Sequence, residues 1–334
     1  MRGSTCADIV CQIAALVLPD DLICHNARQR FMLELYSFQF DAMGTACVLH
    51  LYVHDHEQAR AVAQSAISEV HRIEARYSRY REDSILSALN RVAKRGGTIA
   101  VDEETAGLLD YAYACYRKSG GLFDITSGVL RKAWDFSSGT LPTQNAIDHL
   151  LPLVGLDKVL WHAPLLTFST PGMELDFGGI GKEYAADQVA AVCVSAGIEH
   201  GLVDLGGDIC VLGAHPDHKP WRIEIRHPRV PDAFMAMVEI ERGAIASSGD
   251  YERYIEVAGE RYCHIINPLT GWPVRGLCSV SVLADQCLVA GSVSTIAMLQ
   301  GDAGIQWLNG LGVQHIWMGD NKRVEGTEPF HSLP

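Results

Sequence analysis

Short strand-like runs joined by glycine turns fill the second half of the chain and restrict its fold more than any other feature. Residues 200–213 are typical of a strand, a glycine turn at Gly206-Gly207 and a second strand. Further strand-like runs lie at 221–228, 236–249, 253–259, 261–267, 278–284 and 315–319. Successive strands of this kind, mixed with a few helices, predict an α+β fold instead of a doubly wound α/β fold.

The first half of the chain adds a strand pair and most of the helices. Residues 33–53 are rich in aromatic and branched side chains and predict two strands broken at 42–45. Other strand-like runs occur at 158–162, 165–169 and 173–177. Helices are predicted at 56–75, 104–119, 143–151, about 182–196 and 288–299. Since no repeat, low-complexity tract or linker interrupts the pattern, we predict one large domain of mostly antiparallel sheet over residues 32–334.

Residues 1–31 are predicted to form an N-terminal extension to which we assign no structure. Their apolar stretch, residues 9–18, is interrupted by Gln12 and is followed by no small-residue cleavage site, so it is a weak secretory signal. It is also too short to span a bilayer, and no later segment reaches about 18 uninterrupted apolar residues. We therefore expect no stable membrane span and a cytoplasmic location, with a periplasmic location as the alternative.

The charge of the chain argues against nucleic acid as a main ligand. The formal net charge is −13 and no basic block is present, whereas binding to a phosphate backbone needs a basic face. An acidic protein can still bind a phosphorylated small molecule through backbone amides and a metal ion. The 10 cysteines include no CxxC pair, which favours reduced thiols and argues against a structural zinc site.

The stretch 174–190, ELDFGGIGKEYAADQVA, combines an acid, clustered glycines and a lysine at the start of a predicted helix. It has neither the G-x-G-x-x-G nor the GK[ST] pattern of the common nucleotide-binding loops. Gly178, Gly179 and Gly181 allow close backbone approach, and the first N–H groups of the helix, beside Lys182, suit an anion. A tight turn into a helix explains the same residues, so the stretch alone leaves both interpretations open.

Similar polar glycine loops recur along the chain. They carry Asp, Ser, Thr or His and occur in GGLFDITSG (120–128), VDLGGDI (203–209), SSGDYE (247–252) and HIINPLTG (264–271). A packed core does not require so many of these loops. Because binding and catalytic residues concentrate on loops held by a rigid scaffold, the recurrence predicts a site assembled from several of them.

Eight sequence blocks, taken in order, resemble the FAD:protein FMN transferases, the ApbE-like flavin transferases. They are AMGT (42–45), YSRYREDSILSALN (77–90), GGLFDITSGVLRKAWDF (120–136), LDFGGIGKEYAAD (175–187), LVDLGGDI (202–209), AIASSGDYE (244–252), HIINPLTGWPV (264–274) and AGSVSTIAMLQG (290–301). The resemblance implies the α+β architecture of that family, which is related to the tunnelling fold. It also implies that the protein binds FAD with Mg²⁺, transfers the FMN moiety through a phosphoester bond to a threonine of an acceptor flavoprotein, and releases AMP.

The same resemblance implies roles for individual residues. Residues that would bind FAD are Met43, Tyr80, Leu122, Phe123, Asp124, Asp176, Lys182 and Ile265. The carbonyl of Gly179 and the hydroxyl of Thr295 would hold the metal ion. The residues that would be catalytic are His264, Asn267 and Thr270.

Ordinary structural roles explain several of these residues as well. Phe123 and His264 are also typical of a protein core, and Lys182 of the solvated first turn of a helix. Tyr80 would also cap a hydrophobic cluster. Asp124 and Asp250 would also serve as turn formers that accept hydrogen bonds from nearby N–H groups.

Three positions depart from the motifs that the resemblance implies. Gly291 stands where the motif A-D-x-x-x-T has a metal-binding Asp, and Asn267 where H-x-x-D-P-x-T-G has an Asp that, unlike Asn, can act as a base. Glu183 stands where a glycine is common. Since Mg²⁺ normally binds at least one carboxylate besides phosphate oxygens, another acid would have to replace the one missing at Gly291. The candidates are Asp285, Glu183, Asp208 and Asp250.

Two hypotheses follow from these departures. One is an active transferase with a rebuilt metal site, which we favour because the other cleft motifs persist. The other is a relative that binds FAD or hydrolyses it to FMN and AMP but no longer transfers FMN. An acid at the start of a helix commonly faces solvent, and we expect this of Glu183.

Overall fold

The computed structural model of the protein describes residues 32–332, so the predicted extension 1–31 lies outside the described residues. The α-helices are α1 (His56–Tyr77), α2 (Ile85–Arg95), α3 (Glu103–Lys118), α4 (Gln144–Leu150), α5 (Gly181–Ser195), α6 (Cys287–Gln300) and α7 (Asp302–Leu311). The 3₁₀ helices are Ile125–Lys132, Leu151–Leu153 and Leu156–Lys158.

The strands, in chain order, are β1 (Glu34–Ala42), β2 (Thr45–Val53), β3 (Gly97–Ala100), β4 (Val159–His162), β5 (Leu165–Phe168), β6 (Gly201–Leu205), β7 (Asp208–Gly213), β8 (Trp221–Arg226), β9 (Phe234–Ile240), β10 (Gly243–Gly249), β11 (Tyr254–Val257), β12 (Glu260–Cys263), β13 (Leu277–Ala284), β14 (His315–Gly319), β15 (Val324–Gly326) and β16 (Phe330–Ser332). Two of the smaller sheets are β3-β5-β4 and the hairpin β11-β12.

An eight-stranded sheet in the order β1-β2-β6-β7-β10-β13-β14-β15 forms the central layer, and every neighbouring pair in it is antiparallel. Helices α1, α5 and α6 pack on one face and bury apolar side chains such as Ile73, Val189 and Ile296. The three-stranded sheet β16-β9-β8 covers the other face, where Val238 and Ile245 share a second apolar cluster. The α+β fold with mostly antiparallel sheet is confirmed, while the domain boundary at residue 32 stays a prediction.

The first predicted hairpin is confirmed. The strand pair breaks between β1 and β2, where Met43 and Gly44 have φ angles of 53° and 74°. Such left-handed φ angles are typical of tight hairpin turns. The run predicted at 236–249 is two strands, β9 and β10, which belong to different sheets.

The strand predicted at 173–177 is wrong. This segment pairs with no strand, and the side chain of Asn90 makes hydrogen bonds that a neighbouring strand would otherwise make. Its Oδ1 accepts the Leu175 N–H at 2.7 Å, and its Nδ2 donates to the Leu175 carbonyl at 2.9 Å. Helices α2 and α7 were not predicted from the sequence.

Among the described residues, no helix is both long and apolar enough to cross a membrane.

Candidate active site

A pocket of about 280 Å³ lies where the start of α5, the β6–β7 turn, the end of β10 and α6 come together. Among the residues that line it are nine to which the resemblance gave an FAD-binding, metal-binding or catalytic role: Leu122, Phe123, Asp124, Asp176, Gly179, Lys182, His264, Ile265 and Thr295. They come from separate loops along the chain. The structure therefore brings these residues to one cavity, while the part that each plays stays a prediction.

The loop before α5 reaches the pocket because its glycines leave room for neighbouring side chains. A Cβ atom at Gly178 would lie 2.9 Å from Oδ1 of Asp176, and one at Gly179 would lie 3.3 Å from Cζ of Phe123. The Gly181 N–H donates to the Phe177 carbonyl at 2.7 Å, which turns the chain into the helix. The tight turn therefore brings the N-terminus of α5 to the pocket, where the N–H groups that the turn does not use suit a negatively charged ligand.

Asp176 pairs with two arginine side chains at the edge of the pocket. Its carboxylate forms ion pairs with Arg79 and, at 2.6 Å, with Arg131, and it also accepts the Gly178 N–H at 2.6 Å. Burial raises the pKa of Asp176, and Arg79 opposes this shift. The acceptor atoms of Asp176 are thus used within the protein. Arg131 lines the pocket and is a more direct partner for an anionic ligand.

Lys182 links α5 to the turn between β6 and β7. Its Nζ lies 2.8 Å from Oδ2 of Asp208, whose side chain is only 4% exposed. Burial by itself lowers the pKa of Lys182, but the carboxylates of Asp208 and Glu183 outweigh it and raise that pKa above its ordinary value. Lys182 therefore stays protonated and is held in place by a buried ion pair, in contrast to a freely solvated lysine.

Glu183 does not face solvent, contrary to the prediction. It is 7% exposed and lies in the pocket wall. A Cβ atom at Gly291 of α6 would lie 2.4 Å from Cγ of Glu183 and 2.8 Å from its Oε1. Burial, with a smaller contribution from Asp208, raises the pKa of Glu183 to about 7. The absence of a side chain at Gly291 is what gives Glu183 its room.

Hydroxyl groups form the wall next to Glu183. The Oγ of Ser248, at the end of β10, lies 2.8 Å from Oγ of Ser294 and 2.9 Å from Oγ1 of Thr295 on α6. Thr295 lines the pocket and lies one helical turn after Gly291, so both residues are on the same face of α6. The predicted metal ligand Thr295 and the acid Glu183 therefore adjoin the same face of one helix.

His264 lines the same pocket and lies directly after β12. Its backbone N–H donates to the Arg253 carbonyl at 2.9 Å, and its Nδ1 lies 3.3 Å from the same oxygen. Although His264 is solvent-accessible, the protein around it lowers its pKa below the ordinary 6.5 through desolvation. At neutral pH the imidazole is therefore uncharged and able to accept a proton.

Comparison with known protein sequences identifies the family of this chain. The sequence model of the ApbE family matches residues 43–317. The chain belongs to the ApbE family. Similar proteins include the FAD:protein FMN transferase of Vibrio cholerae, 34% identical over 232 residues that cover 67% of this chain and 69% of the relative. That of Treponema pallidum is 30% identical over 282 residues, which cover 78% and 77%.

Solved structures of ApbE proteins share the fold of the chain. The ApbE protein of Thermotoga maritima has a TM-score of 0.81 at 28% identity, with 88% of this chain and 97% of that chain covered. The flavin transferase ApbE of Vibrio cholerae has a TM-score of 0.79 at 26% identity, with 89% and 98% covered. The family resemblance and the fold that it implied are thereby confirmed.

Four residues predicted for the ApbE site do not line the pocket in this ApbE-family protein. The Met43 N–H donates to Glu74 at 2.6 Å, and Tyr80 is 84% exposed. Asn267 and Thr270 shape the turn after β12: Oδ1 of Asn267 accepts the Leu269 N–H at 2.9 Å, and Oγ1 of Thr270 accepts the Trp272 N–H at 3.2 Å. Since Asn and Asp form such turns equally well, Asn267 suits the observed role.

Asp124 lines the pocket, yet its carboxylate stabilises the fold of the ApbE chain. Oδ1 accepts the Thr126 N–H at 2.7 Å and the Thr126 hydroxyl at 2.6 Å, which caps the 3₁₀ helix. Oδ2 accepts the Leu156 N–H at 3.0 Å. The turn-forming alternative therefore accounts for this carboxylate.

Replacing Asp124 with Ala is expected to lower the free energy of unfolding by about 2–3 kcal/mol, because it removes a helix cap and leaves the Leu156 N–H unpaired. Urea unfolding measures this value. Asp124→Asn, which keeps one acceptor oxygen, should lose less. An Asp124→Ala variant as stable as the wild type, but with weakened FAD binding, would instead make Asp124 a ligand of FAD.

Proposed function

We propose that this protein transfers the FMN moiety of FAD to a threonine of an acceptor flavoprotein and releases AMP. The relatives from Vibrio cholerae and Treponema pallidum are named FAD:protein FMN transferases. The observation that carries the proposal is the pocket itself, in which the start of α5, the cation Lys182, the acid Glu183 and the neutral base His264 line one cavity. Phosphoryl transfer consists mostly of positioning and charge neutralisation, and these groups supply both.

The cationic side of the pocket suits the pyrophosphate of FAD. The N–H groups at the start of α5 and the side chain of Arg131 are the donors there, and Lys182 adds a fixed positive charge. Apolar side chains on the other walls, Leu122, Phe123 and Ile265, suit the flat rings of the substrate. Binding in this way would hold the phosphate that reacts while leaving one side open to the acceptor.

The oxygen groups of the pocket fit a Mg²⁺ ion. Residues 32–332 hold no group of three or more His, Cys, Asp or Glu side chains arranged for a metal, and substrate phosphates would add oxygen ligands to those of the protein. Mg²⁺ is commonly held in this way, through one or two carboxylates and phosphate oxygens. Glu183, the Thr295 hydroxyl and the Gly179 carbonyl would hold it. The ion would neutralise negative charge on the phosphates.

His264 is the residue suited to take the proton of the acceptor. In the proposed reaction, Oγ of the acceptor threonine forms a bond to the phosphorus of the FMN half, and the bond from that phosphorus to the bridging oxygen breaks. AMP leaves with the bridging oxygen, and the threonine proton passes to the neutral imidazole. Asn267 and Thr270, which hold the neighbouring turn, would position His264 indirectly.

The proposal is tested by incubating the protein with FAD, MgCl₂ and an acceptor domain that carries the sequence D-G-x-T-[GS]-x-T. We expect the acceptor to gain the mass of FMN less one water, and one AMP to be released for each adduct. An acceptor with Ala in place of the threonine should gain no mass. Absence of the adduct with Mg²⁺, Mn²⁺ and other divalent ions would reject the transferase function.

The same assay separates the alternative functions. An FAD pyrophosphatase releases FMN and AMP without an acceptor. An FAD carrier binds FAD stoichiometrically and releases no AMP. Measuring AMP with and without the acceptor therefore distinguishes all three.

A further inference from the structure

Glu183 is a buried acid with an incomplete set of hydrogen bonds. The residue is 7% exposed, and its Oε2 has no hydrogen-bond partner among residues 32–332. Glu183 also lines the pocket, so part of its side chain adjoins the space where a ligand enters. Because a buried carboxyl oxygen without a partner is costly, a cation bound beside Glu183 would stabilise it.

The position of Glu183 depends on Gly291. With a Cβ atom at Gly291 only 2.4 Å from Cγ of Glu183, no larger residue fits at position 291 unless Glu183 moves. The carboxylate therefore occupies the space into which a side chain from Gly291 would extend. It reaches that space from α5, whereas a residue at 291 would reach it from α6, the helix that also carries Thr295.

The other candidate acids have partners or lie elsewhere. Asp208 is paired with Lys182 at 2.8 Å. Asp250 forms two hydrogen bonds with Arg229, both of 2.6 Å. Asp285 is exposed and does not line the pocket. Among these acids, Glu183 is thus the one that combines burial, an unpartnered oxygen and contact with the pocket.

We propose that Glu183 is the carboxylate ligand of the divalent metal ion in this protein, supplied from α5, and that Gly291 is the space that admits it. Thr295 and the Gly179 carbonyl would complete the protein side of the site. The proposal rests on the proposed function only for the substrate phosphates that share the ion. It accounts for two departures from the expected motifs, at positions 183 and 291, as one exchange of a carboxylate between neighbouring helices.

Binding of Mn²⁺ alone to the full chain tests this assignment, with the electron paramagnetic resonance signal of free Mn²⁺ as the readout. We expect about one Mn²⁺ per chain in the wild type and at least about tenfold weaker binding in Glu183→Gln, since even outer-shell changes at metal sites cost 10–100-fold. Gln has the same shape, so thermal unfolding should show an intact fold. The matched control Asp285→Asn should bind as the wild type does.

The exchange itself is tested by the double variant Glu183→Gly/Gly291→Asp. It should recover most of the Mn²⁺ affinity that Glu183→Gln loses, because the acid returns from α6 into the space that Glu183 has left. A folded double variant without recovery would overturn the role of Gly291. If Glu183→Gln bound Mn²⁺ as tightly as the wild type, or if the wild type bound no Mn²⁺, the assignment of Glu183 as the metal ligand would be overturned.

These outcomes are independent of the transfer assay. If the wild type forms the FMN adduct while Glu183→Gln binds Mn²⁺ normally, the transferase function stands and the assignment of the carboxylate fails. If Mn²⁺ binding depends on Glu183 but no adduct forms with any acceptor, the metal site stands and the proposed function fails.

Discussion

Replacing His264 with Gln is expected to slow FMN transfer by about 10²–10⁴-fold, the usual contribution of a general base. Gln keeps a similar volume and can still hydrogen-bond to the Arg253 carbonyl, but it cannot accept the threonine proton. Single-turnover transfer with saturating FAD, followed by mass spectrometry of the acceptor, measures the effect, and FAD affinity should change little. The control His162→Gln, at an exposed site on β4, should transfer normally.

The pH profile of transfer tests the same assignment. Since desolvation lowers the pKa of His264 below its ordinary 6.5, the base form persists below that pH. The wild-type rate should therefore be level in the neutral range and fall as the pH drops through the lowered pKa, with a midpoint below pH 6.5. Glu252 and Asp250, which oppose the shift, are unchanged in His264→Gln. If that variant kept the acidic limb, another group would be the base.

Local features were predictable from the sequence because they depend on neighbouring residues. The hairpin at Met43-Gly44, the turn at Gly206-Gly207 and the glycine loop before α5 each follow from the backbone freedom of a few adjacent positions. The strand pattern was predictable for the same reason. Together they predicted an antiparallel α+β fold and a site assembled from several polar loops.

Long-range partners were not predictable. Arg79 lies 97 positions before Asp176, and no local pattern marks either residue as half of an ion pair. The burial of Glu183 depends on the missing side chain of Gly291, on a different helix. The false strand at 173–177 has the same cause, because Asn90, far away in the sequence, takes the hydrogen bonds of Leu175.

The catalytic prediction for Asn267 and Thr270 shows a further limit. Both residues belong to a motif with His264, yet the motif contains a turn as well as the residue that we propose as the base. A sequence pattern does not separate the residue that contacts the substrate from those that shape the loop. Asn267 and Thr270 accept hydrogen bonds from backbone N–H groups two residues ahead and so shape the turn, while their catalytic role stays a prediction.

Replacing Lys182 with Met is expected to lower the free energy of unfolding by about 2–4 kcal/mol. Removing one partner of a buried ion pair usually costs 3–5 kcal/mol, and the 31% exposure of the Lys182 side chain reduces this range. Asp208 would remain buried, next to Glu183 and without its cation. Urea unfolding measures the change. Lys132→Met, which breaks an exposed pair with Glu174, is the matched control and should cost at most about 1 kcal/mol.

The double variant Lys182→Met/Asp208→Asn separates the structural role of Lys182 from its role toward FAD. Removing the charge of Asp208 should restore most of the lost stability, because an uncharged pair costs less to bury than a lone carboxylate. FAD affinity, measured by quenching of flavin fluorescence, should stay about tenfold or more below that of the wild type, since the positive charge is still absent. If the FAD affinity of the double variant returned together with its stability, Lys182 would only hold α5 to the β6–β7 turn. If FAD binding stayed weak in a stable double variant, the charge of Lys182 would act on the pyrophosphate of FAD.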